Sequence, residues 1–106
     1  MTGRKSDSSS EPAVIVVKAY DLSLWIIQKV EKFPKSYRFS VGDRLIARSL
    51  DLLETLVEAA YASDKRALLE TSVRRVNSIR YLLRMAADLK LLSTDSREFA
   101  AESGNA

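Results

Sequence analysis

The sequence contains neither cysteine nor histidine. Without cysteine there is no disulfide framework, no thiolate nucleophile and no thiol ligand for zinc. Without histidine the commonest general base and the commonest zinc ligand are missing as well. Glycine is scarce, with three widely separated residues in 106, so no Gly-rich phosphate loop can be assembled. The longest uninterrupted apolar run is AVIVV at 13–17, far below the ~20 residues a membrane-spanning helix needs. It is also short for a signal-peptide core and is followed by no small-residue cleavage site. The expectation is a cytoplasmic protein with no membrane partner, no cofactor, no metal and no enzymatic activity.

Apolar residues make up 46% of the chain, enough for a real core in one small domain. A domain of this size buries its apolar surface incompletely on its own, which makes oligomerisation an early option. Residues 1–12, MTGRKSDSSSEP, are polar and Ser-rich and are expected to form a disordered tail. Residues 13–93 carry the helical domain. Residues 94–106 are expected to be a short C-terminal helix or a frayed end.

Three segments within 13–93 have helical periodicity. From Ala13 to Lys32, Ile15, Ala19, Leu22, Ile26, Val30 and Phe33 recur at three- and four-residue spacing. A second apolar set, Val16, Tyr20, Leu24 and Ile27, lies beside this stripe, so the first helix needs cover on more than one side. From Val41 to Ala62 the inward set is Val41, Leu45, Leu52, Leu53, Leu56, Ala59 and Ala60, with Ser40 as N-cap and Asp43 in a short capping box. From Asp64 to Leu91 it is Leu69, Val73, Val76, Ile79, Leu83, Ala86 and Ala87, with Ser63 or Asp64 as cap. The very short joint between the second and third helices implies an antiparallel hairpin. The fold class is therefore all-α, an antiparallel up-down helical bundle of four-helix-bundle type. Its fourth helix, signalled only by STDSREF at 93–99, is short or truncated.

The stretch KFPKSYRFSVGDRL at 32–45 joins the first two helices. Phe33 ends the first core stripe, and Pro34 stops the helix by disfavouring helical geometry before it. Gly42 is expected to permit a close backbone approach. Phe39, ahead of the cap, is expected to staple onto the helix near Leu45. Its aromatics thus belong mainly to the turn.

Lys and Arg total 17 against 14 Asp and Glu, a formal net charge of +3. The distribution says more than the sum. Lys32 to Arg48 is almost wholly basic, Asp51 to Asp64 is wholly acidic, and the stretch from Lys65 to Lys90 is again mainly basic. Asp51, Glu54 and Glu58 share one helix face, as carboxylates of a di-metal site can, but the His of the usual Glu-His pairing is absent and a solvated acidic stripe accounts for them. Arg80, Arg84 and Asp88 form a four-residue ladder, and Arg74, Asn77, Tyr81 and Arg84 line the face opposite the core. Arginine forks pair with phosphate and stack on bases. The alternative pairs Arg84 with Asp88 and Arg80 with a neighbouring carboxylate. The candidate nucleic-acid-binding residues are Lys35, Arg38, Arg44, Arg48, Arg74, Arg75, Arg80 and Arg84. Trp25, close to Lys18, Lys29 and Lys32, is either an interface anchor or a packing residue.

The segments KAYDLSLWIIQKVEKFPKSYRFSVGDRL, LLETLVEAAYASDKRALL and LRMAADLKLLS together resemble a known family. It is the accessory variability determinant (Avd) family of diversity-generating retroelements, within the four-helix-bundle proteins often labelled 23S rRNA intervening-sequence proteins. Tyr20-Asp21-Leu22, Trp25, Phe33-Pro34, Arg38-Phe39, Gly42, Arg44-Leu45, Ala60-Tyr61, Lys65, Arg84 and Asp88-Leu89 carry the resemblance, which spans Lys18 to Ser93. It implies a basic four-helix bundle that assembles as a homopentamer. It implies partners in RNA or DNA and in a reverse transcriptase, as an accessory in mutagenic retrohoming with no chemistry of its own. The family usually continues into a full fourth helix, where this chain has TDSREFAAESGNA. The alternative is a structural oligomer, its basic and acidic faces paired between subunits, with no nucleic-acid role.

Overall fold

The computed structural model describes residues 6–93. Every element among them is helical: α1 (Ser6–Val30), α2 (Lys35–Tyr37), a π-helical turn (Arg38–Gly42), α3 (Asp43–Tyr61) and α4 (Arg66–Asp88). Helix α1 starts ahead of Ala13, inside the segment read as a tail. The expected C-terminal helix at 94–106 lies outside the described residues.

The corner after α1 departs most from the sequence expectation. The last amides of α1 tighten, with Lys32 donating to the Lys29 carbonyl and Phe33 to that of Val30, each at 3.0 Å. Phe33 is buried and Pro34 is extended (φ −54°, ψ 149°), and α1 itself ends at Val30, short of the expected Lys32. The next helix then begins at once: the Pro34 carbonyl accepts from the amides of Tyr37 and Arg38, both at 2.9 Å. Ser40 is therefore no N-cap. It lies inside the helical run, its hydroxyl donating to the carbonyls of Ser36 (3.1 Å) and Tyr37 (3.4 Å), a bond that competes with regular α geometry.

The π-turn has a reason in the spacing of the inward residues. Tyr37, Val41, Leu45 and Ser49 all turn toward the core, four residues apart each time. In an α-helix a step of four overshoots a full turn by about 40°, so three such steps would carry the stripe off the core. One wider turn absorbs much of that drift. It also leaves Phe39 pointing outward, 64% exposed, which removes the expected staple onto Leu45.

Gly42 is buried against α1. A Cβ there would lie 2.7 Å from Val30 Cγ1 and 3.2 Å from the Tyr37 carbonyl oxygen. Its backbone is ordinary helix (φ −63°, ψ −48°), so the requirement is space and not conformation.

Helix α3 is the centre. It packs along α1 on one side and α4 on the other, while α1 and α4 share no comparable interface. Ile26, Val30 and Leu45 are the largest fully buried side chains. A buried serine on each long helix stays hydrogen-bonded: Ser23 donates to the Ser49 carbonyl across α1–α3 at 3.1 Å, Ser49 to that of Ile46 at 2.9 Å, and Ser72 to that of Leu68 at 2.9 Å. Small side chains here let the helices approach without stranding a polar group.

The α3–α4 joint is built from its own charges. Lys65 Nζ donates to the carbonyls of Ala59 and Ala62, both at 2.8 Å, closing the C-terminal end of α3. The N-cap of α4 is Lys65, which makes no side-chain cap bond, so neither expected cap, Ser63 nor Asp64, holds that position. Asp64 Oδ1 instead accepts from the Arg66 amide at 3.1 Å, a local Asx-type turn just ahead of the helix. At its other end α4 stops at Asp88, short of Leu91. The Leu91 amide donates to the Ala86 carbonyl and the Lys90 amide to that of Ala87, both at 2.9 Å, a Schellman ending. Lys90 occupies the left-handed position, at φ 65°, where glycine is usual.

Two expected core residues of α4, Leu69 and Val73, are instead exposed, as is Ile15 of α1. They line an apolar cleft of about 370 Å³ between α1 and α4, floored by Leu52 and Leu56 of α3. The stripe is present; in the isolated chain nothing among the described residues covers that part of it.

Two substitutions test this account. Gly42→Ala gains helix propensity of about 1 kcal/mol, but the stiff, buried Val30 side chain cannot give way. A net loss of about 1–2 kcal/mol is expected in denaturant unfolding, and a Val30→Ala background should remove it. Lys90→Gly relieves the left-handed strain and should raise stability by about 1 kcal/mol, read as a higher unfolding midpoint at constant slope.

Candidate nucleic-acid interface

The basic candidates divide by element. Lys35 opens α2, Arg38 opens the π-turn, and Arg44 and Arg48 lie in the first half of α3. Arg74 and Arg75 sit in the middle of α4, Arg80 and Arg84 in its C-terminal half. Because α4 turns back on α3 and packs against the π-turn, that half of α4 lies at the same end of the molecule as Lys35 to Arg48. Arg74 and Arg75 lie nearer the α3–α4 joint. The carboxylates Glu54 and Glu58 occupy the other half of α3 and are exposed. Glu54 and Glu58 thus lie apart from the basic set, although Asp43 and Asp88 stand at its end of the molecule and Lys65 and Arg66 at the opposite joint.

The structure assigns these side chains different surroundings. Lys35, Arg44, Arg80 and Arg84 are exposed, and among the described residues none has an ion-pair or hydrogen-bond partner through its side chain. The alternative pairing of Arg84 with Asp88 is not formed. Arg38 is exposed but anchored: its Nη2 donates to the carbonyls of Glu31 (3.3 Å) and Phe33 (3.4 Å), at the C-terminal end of α1. A cation is favourable there because the last carbonyls of a helix carry partial negative charge. Arg48 is half-buried and meets Asp51 at 3.8 Å, the only ion pair among the described residues. A pair so long and so exposed contributes little. Arg74 Nη2 donates to Thr71 Oγ1 at 3.1 Å. Arg75 is half-buried, and its Nε is buried with no hydrogen-bond partner among the described residues.

Two aromatics complete the surface. Tyr81 is 71% exposed among Arg80, Arg84 and Asn77 on α4, as its helical position implied. Phe39 is the residue that reading the sequence as a simple turn missed. The signal was present in the unbroken four-residue spacing of Tyr37, Val41 and Leu45, which leaves position 39 outside. Trp25 is half-buried against the core, with Lys29 Nζ 5.8 Å from its ring centroid, within the range of a cation–π contact.

A scan of protein-family models and searches of curated proteins and of solved structures found no match to this chain.

The placements separate structural from available arginines. Arg80→Ala and Arg84→Ala should leave the unfolding free energy within about 0.5 kcal/mol of the parent. Arg38→Ala should lower it by about 1 kcal/mol through loss of charged hydrogen bonds to the α1 end. Chemical denaturation of the three variants makes the comparison.

Proposed function

We propose that this protein is a non-enzymatic, nucleic-acid-binding accessory protein, resembling the Avd family and acting with a reverse transcriptase in a diversity-generating retroelement. One observation carries the reading. Arg80 and Arg84, four residues apart on α4, are exposed and unpartnered among the described residues, at the end of the molecule that also holds Lys35 and Arg44. Like charges left unpaired repel one another, and a polyanion offsets that repulsion by releasing its own counterions on binding. In this role the protein presents template RNA, or the DNA copied from it, to the polymerase.

The proposal includes an antiparallel four-helix-type bundle that assembles with copies of itself, as a pentamer by the family resemblance, in the cytoplasm. Exposed apolar side chains support self-association: Val14, Ile15, Leu69 and Val73 line the open cleft, and Tyr20 and Leu24 lie on another face of α1. The same observation favours the second reading, a structural oligomer whose basic and acidic faces pair between subunits. Under that reading, neutralising Arg80 or Arg84 would dissociate the oligomer in light scattering, and RNA would not bind.

Salt titration of RNA affinity is the test. Affinity should fall steeply with salt, and Arg80→Ala combined with Arg84→Ala should reduce the slope of log K against log salt by about 1.4–1.8. Absence of binding at low salt would overturn the proposal.

A further inference from the structure

Phe39 and Tyr81 stand apart from the other exposed aromatics by their company. Phe39 projects from the π-turn beside Arg38, with Lys35 one turn earlier on the same continuous helical run. Tyr81 adjoins Arg80, with Arg84 three residues on and Asn77 four before. Tyr61, 88% exposed, instead ends the acidic half of α3 near Glu58 and Asp64, and Tyr20 adjoins the aliphatic Val17 and Leu24. A protein-binding surface keeps arginine beside its aromatic anchors but depletes lysine and carboxylates there, so Lys35 and Asp43 around Phe39 are the residues that set this surface apart. A surface for unpaired nucleic acid interleaves aromatics with Lys and Arg, since bases stack on the rings while the cations follow the backbone. Both rings are carried on helix, so their exposure is held by the fold. Asp43, one turn after Phe39, is the carboxylate on that ring's own helix face, which directs a phosphate backbone to the Lys35 side, Arg38 being held by the carbonyls at the end of α1.

We infer that Phe39 and Tyr81 are stacking platforms for unpaired bases, and that the nucleic acid bound at this end is single-stranded. The inference rests on the nucleic-acid reading above and adds the strandedness of the ligand and two residues that no phosphate contact would require. Bases in a duplex are already stacked and offer these rings nothing.

The test uses the full chain with a fluorescein-labelled 20-nucleotide mixed-sequence RNA, the DNA of the same sequence, and the duplex of each. Single strands should bind at least about tenfold tighter than duplexes. Phe39→Ala and Tyr81→Ala should each weaken single-strand binding about tenfold, with duplex binding and the salt slope unchanged. Phe39→Trp should retain affinity and show fluorescence quenching on binding either single strand, a readout independent of the alanine variants. Whichever single strand binds tighter under these criteria identifies the ligand as RNA or DNA. Alanine variants that bind single strands like the parent, or duplexes bound as tightly as single strands, would overturn the stacking role while leaving the phosphate contacts in place. Failure of every probe to bind at low salt would overturn both.

Discussion

The helical run from Lys35 to Tyr61 must keep Tyr37, Val41, Leu45 and Ser49 facing one core although they are spaced four residues apart. In a regular α-helix the stripe would drift by about 120° from Tyr37 to Ser49, and the π-turn at Arg38–Gly42 takes up much of that rotation. Much else follows from it. Val41 and Gly42 are brought against Val30 and Phe33, so α1 and α3 meet closely at the corner. With α3 seated on α1, its other side is free to receive α4. The same rotation turns Phe39 to solvent and leaves Lys35 and Arg38 beside it.

The helix ends are satisfied mostly by side chains and turns of unusual identity. Arg38 closes α1, Lys65 closes α3, and a Schellman turn with a non-glycine residue closes α4. Two of the chain's cations are thereby occupied by structural work near helix C-termini, where partial negative charge accumulates. What is left over at the π-turn end is a smaller and better defined basic set than the total charge suggests. That set, and not the net excess of +3, is what a polyanion would meet.

Much of the architecture was legible in the sequence. Apolar spacing located all three long helices, Pro34 marked the corner that follows α1, and Gly42 marked a close approach, while the cap of α4, expected at Ser63 or Asp64, falls on Lys65. The readings that failed at the corner share a cause. Ser40 has the composition of an N-cap and Phe39 that of a staple, but both roles presuppose a helix beginning near residue 41. Local preference for a serine cap gave way to a helix already started at Pro34 and held by burial of Tyr37 and Val41. Leu69 and Val73 carry the core periodicity, yet periodicity records only which face is apolar, and the cleft leaves that face open.

The sequence by itself determined the helices, the hairpin joint and the separation of basic from acidic stretches, because these depend on neighbours within a few residues. Only the tertiary structure decided which cations are free. Arg38 and Arg80 look alike in the chain, but one reaches the carbonyls at the end of α1 and the other reaches solvent. That difference, like the outward turn of Phe39, is set by how α1 and α4 pack on α3, through contacts between residues far apart in sequence.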